Sequence, residues 1–76
     1  MAYHARNGVS VNVTPMGVRS KVRVRAPGMD TFHFYSSSVP DAHKRLTVEA
    51  DALEAEGYTG SAAALRRIAE DAFPTA

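Results

Sequence analysis

Val18-Arg19-Ser20-Lys21-Val22-Arg23-Val24-Arg25 is the stretch whose reading decides the fold. Apolar and polar side chains alternate along it, and all three apolar ones are β-branched valines. Such a period of two marks a strand with one face buried and one in water. Upstream, Val9-Ser10-Val11-Asn12-Val13 alternates in the same way, and downstream so does Thr31-Phe32-His33-Phe34-Tyr35. The connections, Thr14-Pro15-Met16-Gly17 and Pro27-Gly28-Met29, carry turn chemistry and are too short for anything but antiparallel neighbours. A three-stranded antiparallel meander over residues 9–36 follows.

Register can be argued from the same residues. If Val9, Val11 and Val13 share a core face with Val18, Val22 and Val24, a four-residue loop over 14–17 sets Val13 opposite Val18. In that loop Pro15 stays right-handed and Gly17 turns left-handed. Across the second connection, Val24 opposite Phe32 and Val22 opposite Phe34 keeps the apolar face continuous. Asn7-Gly8 is a hairpin dipeptide, but a two-residue turn there would put His4 and Arg6 on the valine face. Residues 1–8 are therefore expected to form a loose arm.

The second half has helical spacing. Ser38-Val39-Pro40-Asp41 has the Ser-x-x-acid form of a capping box, with proline in the first turn. Ala42, Leu46, Ala50 and Leu53 then recur at intervals of three and four, and Gly57 supplies a left-handed stop. A second helix, capped by Ser61, carries Leu65, Ile68, Ala69, Ala72 and Phe73 inward and ends at Pro74. The expected fold class is α+β: a three-stranded antiparallel meander followed by a two-helix hairpin (39–74) packed on one sheet face, β-β-β-α-α, in a single domain over 1–76.

Composition bounds what such a domain can be. With 76 residues, one core is the ceiling. There is no cysteine, which removes disulfides and thiolate metal sites. Apolar residues make up 45% and charged ones 22%, an ordinary globular balance. No apolar run approaches the ~18 residues that span a bilayer, and Met1–Arg6 has no signal-like apolar core, so a cytoplasmic protein with no membrane role is expected. The core rests on Val, Phe32, Phe34, Leu46, Leu53, Leu65, Ile68 and Phe73. At ~1.5–3 kcal/mol per buried large side chain its margin over chain entropy is thin, so a homodimer, through a free strand edge or the helices, is an expectation.

The formal net charge of +1 conceals a division. Residues 1–38 hold Arg6, Arg19, Lys21, Arg23 and Arg25 against Asp30 alone, for +4, and residues 39–76 sum to −3. In the register above, the solvent face of the sheet carries Ser10 and Asn12, then Arg19, Lys21, Arg23 and Arg25, then Thr31, His33 and Tyr35, with no acid among them. Arginine and lysine supply the sequence-independent part of nucleic-acid affinity, and His33 and Tyr35 could stack on a base. The candidate nucleic-acid or partner-binding residues are thus Arg19, Lys21, Arg23, Arg25, His33, Tyr35 and Asn12. Against a dedicated nucleic-acid module stands the moderate pI of about 8.2.

Catalysis finds little support. His4, His33 and His43 fall on the arm, a strand and a helix, without metal-ligand spacing, and no nucleophile elbow, phosphate loop or dinucleotide fingerprint is present. Ser36-Ser37-Ser38 is expected to cap the helix rather than cradle an anion. No catalytic residue, metal or cofactor is expected. The function expected is that of a small non-enzymatic regulatory protein binding DNA or RNA through the basic sheet face. The rival is a protein-interaction module, such as a small accessory or inhibitory protein of the kind phages encode, docking on an acidic partner protein or assembling with itself.

Overall fold

The computed structural model describes residues 2–4, 9–26 and 28–75. The elements run β1 (Ala2–His4), β2 (Ser10–Met16), β3 (Arg19–Arg25), β4 (Phe32–Ser36), α1 (Val39–Ala55) and α2 (Thr59–Ala72). The sheet is antiparallel throughout, in the order β1-β2-β3-β4. The expected meander of three strands and the helical hairpin are both present, and the layout is α+β.

One strand more than expected is found. Ala2–His4 pairs with β2, setting His4 opposite Ser10 and Tyr3 opposite Val11. The objection to an N-terminal strand assumed a two-residue turn at Asn7-Gly8, which would have set His4 opposite Val11. Five residues separate His4 from Ser10, so the register moves by one and the objection lapses. Residues 1 and 5–8, the rest of the expected arm, lie outside the described residues.

The β2–β3 hairpin is tighter than the four-residue loop anticipated. Met16 pairs with Arg19, leaving Gly17-Val18 as a two-residue turn with Gly17 at φ 77. Glycine at the first central position suits a turn whose twist matches that of the strands. Pro15 does not belong to the turn; it sits within β2 opposite Ser20. In a two-residue hairpin that pair is a non-hydrogen-bonded one. The missing N–H of Pro15 would point to the side of β2 away from β3, where β1 reaches only Ser10–Asn12. Val13 consequently faces Val22 rather than Val18, and Val18 sits at the turn, 91% exposed instead of in the core. The shift is four residues, an even number, so every strand residue keeps the face expected of it. The β3–β4 register is as read from the sequence, Val24 opposite Phe32 and Val22 opposite Phe34.

Val11, Val22, Val24 and Phe34 are buried from the sheet side, against Ala42, Leu46 and Ala50 of α1 and Ala62, Leu65, Ile68 and Ala69 of α2. Val13, Phe32, Leu53 and Ala72 pack around them half-buried, and Phe73 closes one end. The alanines let the two helices approach closely while contributing little apolar area each.

Helix ends show how local chemistry fixes the hairpin. Ser38 caps α1, its Oγ accepting from the Asp41 N–H at 3.2 Å. In a full capping box the acid would turn back to the cap; here Asp41 Oδ2 accepts from Ser36 Oγ at 2.8 Å, tying the end of β4 to the first turn. At the other end, Gly57 (φ 92) donates to the Glu54 carbonyl and Tyr58 donates to Leu53, the paired bonds of a Schellman stop. With the Tyr58 carbonyl accepting from Ala62 N–H, α2 starts at Thr59. Ser61, expected as its cap, lies inside the first turn.

His43 and Arg66 link the helices in ways the sequence pattern did not disclose. The His43 Nδ1 lies 3.1 Å from the Ala69 carbonyl and 2.9 Å from that of Phe73. As the donor at Nδ1 it satisfies carbonyls at the C-terminal end of α2. Arg66 donates to Asp51 at 2.8 Å and to Glu54 at 3.0 and 3.4 Å. Those hydrogen bonds, to Asp51 first and Glu54 second, raise the guanidinium further above its ordinary pKa. Two of the α1 acids, Asp51 and Glu54, are thereby paired across the hairpin.

Two comparisons check this packing. Leu46→Ala should cost about 2–5 kcal/mol in urea unfolding, whereas Val18→Ala should stay within about 0.5 kcal/mol, the reverse of what the four-residue loop would give for Val18. Replacing His43 with Ala should cost about 1–2 kcal/mol by the same measurement, because the Phe73 carbonyl at the end of α2 loses its donor while that of Ala69 keeps the Phe73 N–H.

Candidate nucleic-acid interface

Alternation in β3 and its position between two antiparallel neighbours build the outer surface of the sheet. Since both helices cover the valine face, the opposite face is left to solvent. Arg19, Arg23 and Arg25 are exposed and Lys21 is half-buried. Successive cations stand two residues apart, about 6.7 Å, so the row from Arg19 to Arg25 is about 20 Å long.

The register arranges the flanking groups in cross-strand rows. Asn12 and His33 lie on either side of Arg23, and Thr14 and Tyr35 lie on either side of Lys21. Ser10 is opposite Arg25, and Met16 is opposite Arg19. All seven residues singled out in the sequence (Asn12, Arg19, Lys21, Arg23, Arg25, His33 and Tyr35) thus share this one face. Thr31 falls just before β4 rather than within it. The His33 and Tyr35 rings meet edge to face, with centroids 5.8 Å apart and planes at 86°. Tyr35 remains 44% exposed beside Lys21.

No acid stands on this face within the described strands, and among the described residues no ion pair engages its cations. The acids of the second half are on the helices, and Asp51 and Glu54 are turned to Arg66. The cation row is therefore a concentrated positive field with no internal neutralisation. Chemically it can bind a polyanion with regularly spaced charges. The described residues contain no cluster of three or more His, Asp or Glu side chains able to hold a metal ion.

A second feature lies at the sheet edge. β4 is the last strand, and between it and α1 runs a groove of about 450 Å³ lined by Phe32, His33, Phe34, Asp41, Lys44, Arg45, Val48 and Glu49. Arg45 lies over the Phe34 ring, 5.3 Å from its centroid, a cation–π contact. Sequence reasoning overlooked this groove because Lys44, Arg45 and Val48 sit outside the apolar stripe of α1. The signal available was the triple-aromatic strand Phe32–Tyr35 falling at an edge. No helix among the described residues is long and apolar enough to cross a membrane. In comparisons with known protein families, curated proteins and solved structures, the chain shows no match.

Like charges 6.7 Å apart repel by about 0.6 kcal/mol in water, and salt screens that repulsion over about 8 Å at physiological strength. Raising NaCl from about 10 to 200 mM should therefore stabilise the wild type more than the Arg23→Ser variant. Parallel urea titrations of the two proteins check this, and equal salt responses would mean that the row is neutralised from within.

Proposed function

We propose that the protein is a small non-enzymatic binding protein that engages nucleic acid through the exposed face of its sheet, acting as an accessory or regulatory factor. The observation that carries the reading is the row Arg19, Lys21, Arg23 and Arg25 on a face free of acids. Its ~20 Å length matches about six steps of 3.4 Å along one strand of a duplex. Asn12, His33 and Tyr35 flank the row, offering hydrogen-bonding and ring groups to a base or sugar edge. Phosphate contacts of this kind give affinity without sequence information, so binding should be weak and salt-sensitive.

Fluorescence anisotropy with a labelled 20-base-pair duplex and a single strand of equal length tests the reading. With four phosphate contacts, log K against log salt should fall with a duplex slope of about −3.6. The Arg19→Ser, Arg23→Ser, Arg25→Ser triple variant should keep its circular dichroism and fall to a slope of about −1, the share of Lys21. No binding of either nucleic acid at about 50 mM salt would overturn the proposal.

A protein partner is the second reading, favoured by the open β4 edge and its groove. An extended segment could add to that edge by main-chain hydrogen bonds, or an acidic protein could dock on the basic face. Affinity capture with and without nuclease separates the two readings. One stoichiometric protein retained after nuclease supports the second, and loss of all co-purifying protein counts against it.

A further inference from the structure

The β2–β3 hairpin tip is the feature that the phosphate row leaves unexplained. β1 pairs only with Ser10–Asn12 and β4 reaches along β3 as far as Ser20, so the last pair, Met16–Arg19, and the Gly17-Val18 turn project past both flanking strands as a short two-stranded ribbon. Residues 14–19 are exposed without interruption. Three of them are apolar: Pro15 is exposed on the valine side at the base of the ribbon, Met16 (55% exposed) is on the cation side, and Val18 (91% exposed) is at the very end. Gly17, at φ 77 with no atom within 4 Å of where its Cβ would be, makes the tip narrow as well as sharp.

Exposed apolar residues scattered singly need no explanation, but these are grouped at the end of a ribbon whose next residues are Arg19 and, two further on, Lys21. We infer that this tip is a wedge that enters between adjacent base pairs of a duplex while Arg19 and Lys21 hold the neighbouring phosphates. The inference rests on the nucleic-acid reading of the sheet face and specifies double-stranded substrate and a kinked product.

The chemistry favours a base step over a lipid surface. Unstacking a base step takes one or two apolar side chains, of which methionine and proline are among those used, with cations alongside on the backbone. Holding a membrane surface takes more: a single long acyl chain gives only marginal, reversible attachment, and three small side chains offer less apolar area than that. The cations also run in single file away from the tip rather than ringing it, which suits a strand of phosphates.

The test uses the full chain and a 20-base-pair duplex carrying 2-aminopurine at a central pyrimidine–purine step, with a donor and acceptor dye at its ends. Wild-type protein should raise the 2-aminopurine fluorescence at least twofold and shorten the end-to-end distance. A Met16→Ser, Val18→Ser double variant, whose changes touch only exposed positions, should keep its circular dichroism and the wild-type salt slope while losing both signals. Wild-type binding without either signal, or equal signals from the variant, would overturn the wedge and leave the phosphate row standing. Failure of the wild type to bind any duplex would overturn both. Tip-dependent co-sedimentation with vesicles containing about 30% anionic lipid, with no unstacking, would assign the tip to a membrane surface and likewise overturn it.

Discussion

Everything in this molecule depends on the alternation of faces along β3 between two antiparallel neighbours. A strand residue must face one side of the sheet or the other, and β3 sends Val22 and Val24 inward and Arg19, Lys21, Arg23 and Arg25 outward. The buried half of that pattern recruits the helices. The outward half cannot be covered by them without burying four cations, which would cost far more than the helices could recover. One constraint of geometry thus separates core from candidate interface, and the division of charge along the chain becomes a division between a basic sheet and an acidic hairpin.

The helical hairpin covers the valine face and leaves the opposite face of the sheet open. Its alanine-rich contact (Ala42, Ala50, Ala62 and Ala69) brings two helices close over a small sheet, and Leu46, Leu65 and Ile68 supply most of the buried volume. Polar linkages then fix the arrangement at its ends: Ser36 and Ser38 with Asp41 at the start of α1, His43 with the α2 carbonyls, Arg66 with Asp51 and Glu54. The first of these ties β4 to α1, and beside it lies the groove lined by Phe32, Phe34 and Val48. Core, caps and edge groove are therefore parts of one packing solution, and the basic face is the surface that solution leaves uncommitted.

Much of this was legible in the sequence because faces survive errors that registers do not. Taking Pro15 for a turn residue displaced the β2–β3 pairing by four residues, yet Asn12 and the four cations still landed on the outer face because four is even. Gly17 was rightly read as left-handed, but the tightness of its turn was not, and Val18 was misplaced for that reason. The β3–β4 register followed from matching Val22 and Val24 to Phe34 and Phe32, where apolar residues stand on both strands. What stayed hidden depends on contacts between residues far apart in the chain. Nothing near His43 signals carbonyls 26 and 30 residues away, and Asp51 and Glu54 look like any solvated helix acids until α2 brings Arg66 against them. An N-terminal strand pairing was rejected because only the shortest turn at Asn7-Gly8 was weighed, and the five-residue connection restores it for Ala2–His4.

The central claim is that the solvent face of β3 is a recognition surface. Chemical-shift mapping addresses it most directly: a uniformly ¹⁵N-labelled sample titrated with an unlabelled 20-base-pair duplex at about 50 mM salt. The perturbed amides should cluster at residues 10–14, 16–25 and 33–35, with α1 and α2 essentially unmoved. Perturbations confined to the helices or to the β4–α1 groove, or none at saturating duplex, would contradict it.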